Sequence, residues 1–221
     1  MTEKEVAVIK WIDEKSWKRK PLLDKYSSYV FPYINIGADM DVTNLYYFSK
    51  KNNLSFYCAM IHAATKTALE IENFKYRIID GKPAICDSLT PVFTYLPKGE
   101  EQFYLVEQPY EEDIAAFCRK AKAKAEAMAD DTEHLYMHGK DEVEILYMTC
   151  IPWIRYTHFV RTIEDSKKDN IPRISWGKYE KDKDGKVTMP FSVQVHHATM
   201  DGYHVGLYFE KLESYLRSVG Q

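Results

Sequence analysis

Apolar residues recur at helical spacing from Ser55, through Phe56, Ala59, Met60, Ala63, Ala64, Thr67 and Leu69 to about Ile71, which predicts a long core helix. Ahead of it, Asp41-Val42-Thr43-Asn44-Leu45 offers an N-cap with apolar followers, and a short helix is expected to reach Lys50 before the Lys51-Asn52-Asn53 break. Tyr76 to Asp80, the turn signal Gly81-Lys82, and Pro83 to Cys86 read as a hairpin. Thr90 to Leu96 is a further strand. Glu111 to Asp131 is rich in Ala, Lys and Glu with acids at its start, a helix favoured by propensity and dipole alike. Between Glu142 and Phe159 a β-branched and aromatic run is interrupted by Pro152. Lys186 to Val195 alternates as a strand, and Gly202 opens an amphipathic helix to about Ser218. Strands and helices are interspersed, so the class is α/β or α+β.

The chain has 221 residues, no Pro/Gly/Ser-rich linker and no period of 20–50 residues, so a single domain spanning 1–221 is expected. With 45% hydrophobic and 29% charged residues it can fill a core, which excludes whole-chain disorder. The net charge is −3 and no Lys/Arg stripe emerges, which argues against duplex nucleic acid as a partner. The run Lys120 to Lys124 reads as a solvated helix face. Apolar runs stop well short of the ~20 residues that cross a bilayer, and Met1 to Lys10 has no signal-peptide core, so a cytoplasmic location is expected. Four cysteines, Cys58, Cys86, Cys118 and Cys150, lack zinc-ligand spacing and are expected as reduced thiols in or near the core. Seventeen tyrosines suit interfaces or ligand clefts, although strand-rich folds use tyrosine as well.

Functional side chains are densest in Gln194-Val195-His196-His197-Ala198-Thr199-Met200-Asp201-Gly202, at a strand exit and helix entrance where loops carry chemistry. The run supplies an imidazole that titrates near neutrality, a carboxylate four residues on, and a glycine that permits a sharp turn. Spacing alone leaves two readings open, a general base and a structural loop with a satisfied histidine. Adjacent histidines do not readily share one ion, so no metal is expected.

The sequence H-H-A-T-M-D-G resembles the H-H-x-x-x-D-G signature of the chloramphenicol acetyltransferases. Further blocks in family order are Trp17 to Lys20, Phe56-Tyr57-x-Ala59-Met60-Ile61-His62, Phe74 to Arg77 through Asp80-Gly81, Ile85 to Ser88, Pro152-Trp153, Gly177-Lys178-Tyr179 and Met189 to Val195. The resemblance implies a two-layer α/β sandwich with a mixed sheet, the CoA-dependent acyltransferase fold, assembled as a homotrimer with active sites at subunit interfaces. It implies transfer of an acetyl group from acetyl-CoA as co-substrate to a hydroxyl, with chloramphenicol the leading acceptor. A different alcohol or amine acceptor, or an idle binding module on the same fold, are the rivals.

By the same resemblance, His197 is the catalytic base, its imidazole fixed by its own backbone carbonyl, and Asp201 pairs with Arg19 to hold the loop. Thr149, three residues before Pro152-Trp153, stands where the family has the serine that steadies the oxyanion. Ser175 takes the place of a second family hydroxyl. Tyr57 and Tyr179 match aromatics of the coenzyme A site, and Lys178 offers charge to its phosphates. Tyr26 and Phe159 match residues on the acceptor side. His196, His62 and His204 are assigned to structure. The chain departs from the family at Lys25, where an aromatic is usual, and at Arg161, where an aliphatic residue is usual, so the acceptor pocket suits two cations only if they point to solvent.

Overall fold

The computed structural model describes residues 8–128, 143–164 and 168–221. Its elements are β1 (Ile9–Trp11), α1 (Lys20–Tyr26), β2 (Tyr33–Asp41), α2 (Thr43–Lys51), α3 (Phe56–Leu69), β3 (Tyr76–Ile79), β4 (Lys82–Cys86), β5 (Thr90–Tyr95), β6 (Tyr104–Glu107), α4 (Ile114–Met128), β7 (Ile145–Ile151), β8 (Arg173–Gly177), β9 (Glu180–Lys181), β10 (Val187–His196) and α5 (Gly202–Ser218). A seven-stranded sheet runs β2-β10-β8-β7-β5-β6 with β9 beside β10, and β1-β4-β3 form a smaller sheet. The large sheet is mixed: β7 lies parallel to both β5 and β8, and the remaining pairs are antiparallel.

The sheet's helix-facing side and α3 make the core. Ser55 caps α3, accepting from Cys58 N–H at 3.3 Å. Most of the helix is buried, as a segment apolar on nearly every side must be. From β10, Phe191, Val193 and Val195 join this core, together with Met148, Ile174 and Trp176 of the neighbouring strands. Cys58, Cys86 and Cys118 are buried, Cys150 is partly buried, and all four are free thiols.

Two boundaries move. The hairpin turn is Asp80-Gly81, with φ of 50° and 78°, the left-handed pair of a type I′ turn, so Lys82 already belongs to β4. Helix α4 begins at Ile114 because Asp113 Oδ1 accepts from Ala116 N–H at 2.6 Å, leaving Glu111 and Glu112 ahead of it. Residues 129–131 of the expected helix and Glu142 lie outside the described residues.

Strand β10 departs from the usual meaning of alternation. Its second face, Ser192, Gln194 and His196, is buried as well. The segment after β7 covers it: Tyr156 OH meets Ser192 Oγ at 3.0 Å, and Arg161 N–H donates to Gln194 Oε1 at 2.8 Å. A polar row inside the molecule is the structural basis of the candidate site.

Candidate active site

At the end of β10 the chain turns through His197 to Asp201 and enters α5. Arg19, at the foot of α1 and 9% exposed, organises this turn. Its Nε donates to Ala198 O at 2.8 Å, its Nη2 to His197 O at 3.0 Å, and its two Nη atoms hold both oxygens of Asp201 at 2.9 and 3.1 Å. This forked pairing with a carboxylate is the strong form of the ion pair. The arginine's hydrogen bonds hold the Asp201 carboxyl below the usual carboxylate range. From the other side, Asn73 Nδ2 donates to Thr199 O at 2.8 Å.

His197 lies with Nδ1 3.1 Å from Met200 O and 3.1 Å from Asp201 Oδ1. Its own carbonyl, expected to hold the ring, accepts from Arg19, and the carbonyl that meets the ring is that of Met200. Two acceptor oxygens at Nδ1 favour the tautomer that carries its hydrogen there, and in that tautomer the Nε2 lone pair is the one that can accept a proton. Tyr26 stacks on the imidazole, centroids 4.4 Å apart and planes 21° off parallel. His196 faces inward: its Nδ1 accepts from Ala198 N–H at 3.2 Å, and burial pushes it down to about 4. His204 Nδ1 accepts from Asp201 N–H at 3.1 Å and caps α5. His62 Nε2 meets the carbonyls of Glu111 and Glu112 at 3.0 and 3.2 Å.

Thr149 belongs to a second cluster. Its hydroxyl is 2.7 Å from that of Thr94, whose carbonyl accepts from Tyr57 OH at 2.7 Å. Register sets Thr149 beside Ser175, and Ser175 beside Ser192, which in turn faces Gly37. Tyr156 OH bridges the row, donating to Ser175 O at 2.9 Å. Burial pushes the Tyr57 hydroxyl well up, which keeps it a neutral donor. Thr94, Tyr156 and Ser192 were not singled out in the sequence, since strand register and the path of the segment after β7 bring them together.

The two clusters are far apart within one chain. His197 lies five residues beyond Ser192 along β10, roughly 16 Å, and Thr149 lies two strands across, roughly 10 Å. Their Cα atoms are therefore roughly 19 Å apart, too far for the two side chains to reach one reacting carbonyl.

The remaining candidates separate likewise. Tyr179 packs on Tyr46 and Phe56, at 5.2 and 5.6 Å, beside the exposed Lys178. Tyr57 instead lies against Phe93 and Trp176, at 5.9 and 5.5 Å. Phe159 backs Tyr156 at 5.6 Å and gives its carbonyl to Asn35 Nδ2 at 2.8 Å. The departures part company: Lys25 is exposed, with Nζ 5.3 Å from the centre of the Tyr26 ring, whereas Arg161 turns inward over Tyr147. Burial, with the neighbouring charge of Arg173, pushes the Arg161 guanidinium down to about 10. Among the described residues no three His, Cys, Asp or Glu side chains cluster as metal ligands, and no helix is long and apolar enough to cross a membrane.

A family model described as chloramphenicol acetyltransferase matches residues 8–213. A chloramphenicol acetyltransferase of Escherichia coli is 28% identical over 214 residues, 96% of either chain, and one of Clostridium perfringens is 28% identical over 203 residues, 91% of this chain and 92% of that one. Among solved structures, a chloramphenicol acetyltransferase superposes with a TM-score of 0.86 at 25% identity, over 95% of this chain and 100% of the other. A probable dihydrolipoamide acetyltransferase of Listeria monocytogenes shares the fold, with a TM-score of 0.65 at 11% identity over 100% of this chain and 97% of that one. The mixed sheet under its helices is thus the CoA-dependent acyltransferase fold, and with a match that runs from β1 into α5 the chain belongs to the chloramphenicol acetyltransferase family of acyltransferase enzymes.

Proposed function

We propose that this chain, as one acetyltransferase domain, moves the acetyl group of acetyl-CoA to a hydroxyl of an acceptor such as chloramphenicol, with His197 as general base. The observation that carries the reading is the imidazole itself: Nδ1 lies against Met200 O and Asp201, and Tyr26 covers one face, so the ring is held with Nε2 on the side away from these contacts. Nε2 takes the acceptor's hydroxyl proton as its oxygen attacks the thioester carbonyl. The Thr149 hydroxyl donates to the tetrahedral oxyanion. Collapse breaks the carbon–sulfur bond, and the imidazolium returns the proton to the departing thiolate, with no acyl-enzyme. Tyr179 and Lys178 fit an aromatic base and phosphates of coenzyme A, and Ser175 belongs to the Thr149 row.

The separation of His197 from Thr149 supports a site shared between copies of the chain, His197 from one meeting Thr149 of another. Exposed apolar residues beside the histidine favour the same arrangement: Tyr29, 5.0 Å from Tyr26, then Val30 and Phe31. Three copies closed in a ring give three equal sites, which is the homotrimer the family resemblance implies.

The test is release of free thiol from acetyl-CoA by purified protein with and without chloramphenicol, beside His197→Ala. Release that needs both the drug and His197 supports the reading. Binding of acetyl-CoA without release in the presence of any hydroxyl acceptor overturns it in favour of an idle module.

A further inference from the structure

A guanidinium nitrogen shielded from water is stabilised by an anion or a hydrogen-bond acceptor, and among the described residues one nitrogen of Arg161 has neither. Its Nη1 is buried and meets no hydrogen-bond acceptor among the described residues. The nearby carboxylate is already used: Arg173 holds both oxygens of Asp169, Oδ1 at 3.0 Å, through its two terminal nitrogens. The Tyr147 ring lies between the two cations, 5.9 Å from the Arg161 guanidinium carbon and 5.4 Å from that of Arg173. Among the described residues, the two guanidinium groups flanking Tyr147 share one buried carboxylate, with Glu164 exposed further out.

The Arg161 charge stands close to the Thr149 row. Tyr147 precedes Thr149 by two residues on β7, so both side chains stand on the same face of the sheet, one pleat apart. The Tyr57 hydroxyl, which donates to the carbonyl of Thr149's partner Thr94 at 2.7 Å, belongs to the same row. The backbone of Arg161 is fixed at both groups by Gln194: its N–H donates to Oε1 at 2.8 Å, and Nε2 donates to its carbonyl at 3.2 Å, which anchors the root of the side chain beside β10.

We propose that Arg161 is the specificity-determining residue of the acceptor pocket, and that the pocket takes a hydroxyl compound carrying a carboxylate, one oxygen of which accepts from Nη1. This rests on the acetyl-transfer reading for its chemistry but not for its binding step. The probes are 4-(hydroxymethyl)benzoate and its neutral amide, two primary alcohols that differ in charge at one end. Each is measured with the parent, Arg161→Leu and Arg161→Lys, by calorimetric binding without acetyl-CoA and by thiol release with it.

The expected result is that the parent binds the acid more tightly than the amide, and that Arg161→Leu loses about tenfold to a hundredfold for the acid while the amide changes little. The loss falls on KM rather than kcat. Arg161→Lys recovers part of it, since the charge returns without the planar fork. Equal binding of the acid by the parent and Arg161→Leu overturns the proposal, as does an equal loss for both probes. A smaller sedimenting species in Arg161→Leu with unchanged selectivity also overturns it, assigning the guanidinium to a contact between copies. Acid binding that depends on Arg161, with no thiol release from either probe, from chloramphenicol or from any other hydroxyl acceptor, sinks the transferase reading and leaves this proposal standing. Thiol release from chloramphenicol with binding indifferent to Arg161 does the reverse.

Discussion

The Asp201 carboxylate answers to two side chains at once: it takes both arms of Arg19 and faces His197 Nδ1. Asp201→Asn leaves a largely buried guanidinium without its counter-charge, and the expected loss is about 2–3 kcal/mol, read as a lower melting temperature. An unchanged melting temperature would mean that the pair contributes nothing. Its folded carboxyl titrates below the unfolded value, so its stabilisation is present above the ordinary carboxylate range, near pH 4, and lost as pH falls further. His196 acts in a different window. Held neutral by burial, with its titration pushed down to about 4, it makes the unfolded chain the better proton binder between about pH 6.5 and 4, so stability falls across that range on acidification. His62 and His204 are lowered too and add to the slope. Denaturation followed against pH should be flatter between 6.5 and 4 in His196→Asn, while Asp201→Asn changes the profile mainly below 4. For catalysis, His197→Ala is expected to lower turnover about a hundredfold to ten-thousandfold. Thr149→Ala should cost about a hundredfold to a thousandfold in kcat, with Thr149→Ser retaining most activity. A Thr149→Ala enzyme turning over within tenfold of the parent would remove the hydroxyl from the oxyanion site. The His197 loop was legible because its chemistry is contiguous in sequence. The inward turn of Arg161 was not, since nothing in a sequence says which way a long side chain points.

At the scale of elements, the strongly patterned segments were the readable ones. Helices α3 and α5 carry caps and apolar spacing that local physics decides, α2 starts after Val42 without a side-chain cap, and the hairpin needed only its turn shifted by one residue onto Asp80-Gly81. Strands β2, β6 and β8 and helix α1 escaped. Strand β8, Arg173 to Gly177, is buried along its whole length and carries polar residues on one face, so neither alternation nor an apolar run marks it. Strand β2 is nine residues long and paired throughout with β10, but its exposed middle, Ala38, Asp39 and Gly37, reads as a loop. Gly177 terminates β8 where the next segment passes closest. An added Cβ there would lie 2.7 Å from Pro190 Cγ, 2.9 Å from Ile154 O and 3.0 Å from Tyr156 Cδ1. Because one of those atoms is backbone, Gly177→Ala must displace the segment that carries Tyr156, at a cost of about 1–3 kcal/mol. Thermal unfolding measures this, and activity should fall with it as the Tyr156 bridge to Ser175 and Ser192 loosens. A variant as stable and as active as the parent would show that this close approach is tolerated.

For the whole molecule, the proposed reading gives one chain all the parts of the site but leaves them in two separate clusters. His197, Arg19, Asp201 and Tyr26 gather at the end of β10, and Thr149, Thr94, Tyr57 and Ser175 stand in the sheet roughly 19 Å away. That separation was not legible in the sequence, where the same residues read as one set, because it depends on strand order and register. It makes a prediction that no single variant can test. His197→Ala and Thr149→Ala are each expected to be nearly inactive alone, yet unfolding and refolding them together at equal amounts should rebuild parent-type sites wherever the intact His197 of one chain meets the intact Thr149 of another. Random assembly makes such pairs at roughly a quarter of all interfaces, so the refolded mixture should recover roughly a quarter of the parent's thiol-release rate. A mixture no more active than the sum of the two variants, although shown by sedimentation to have assembled together, would contradict the shared site and return both residues to one chain.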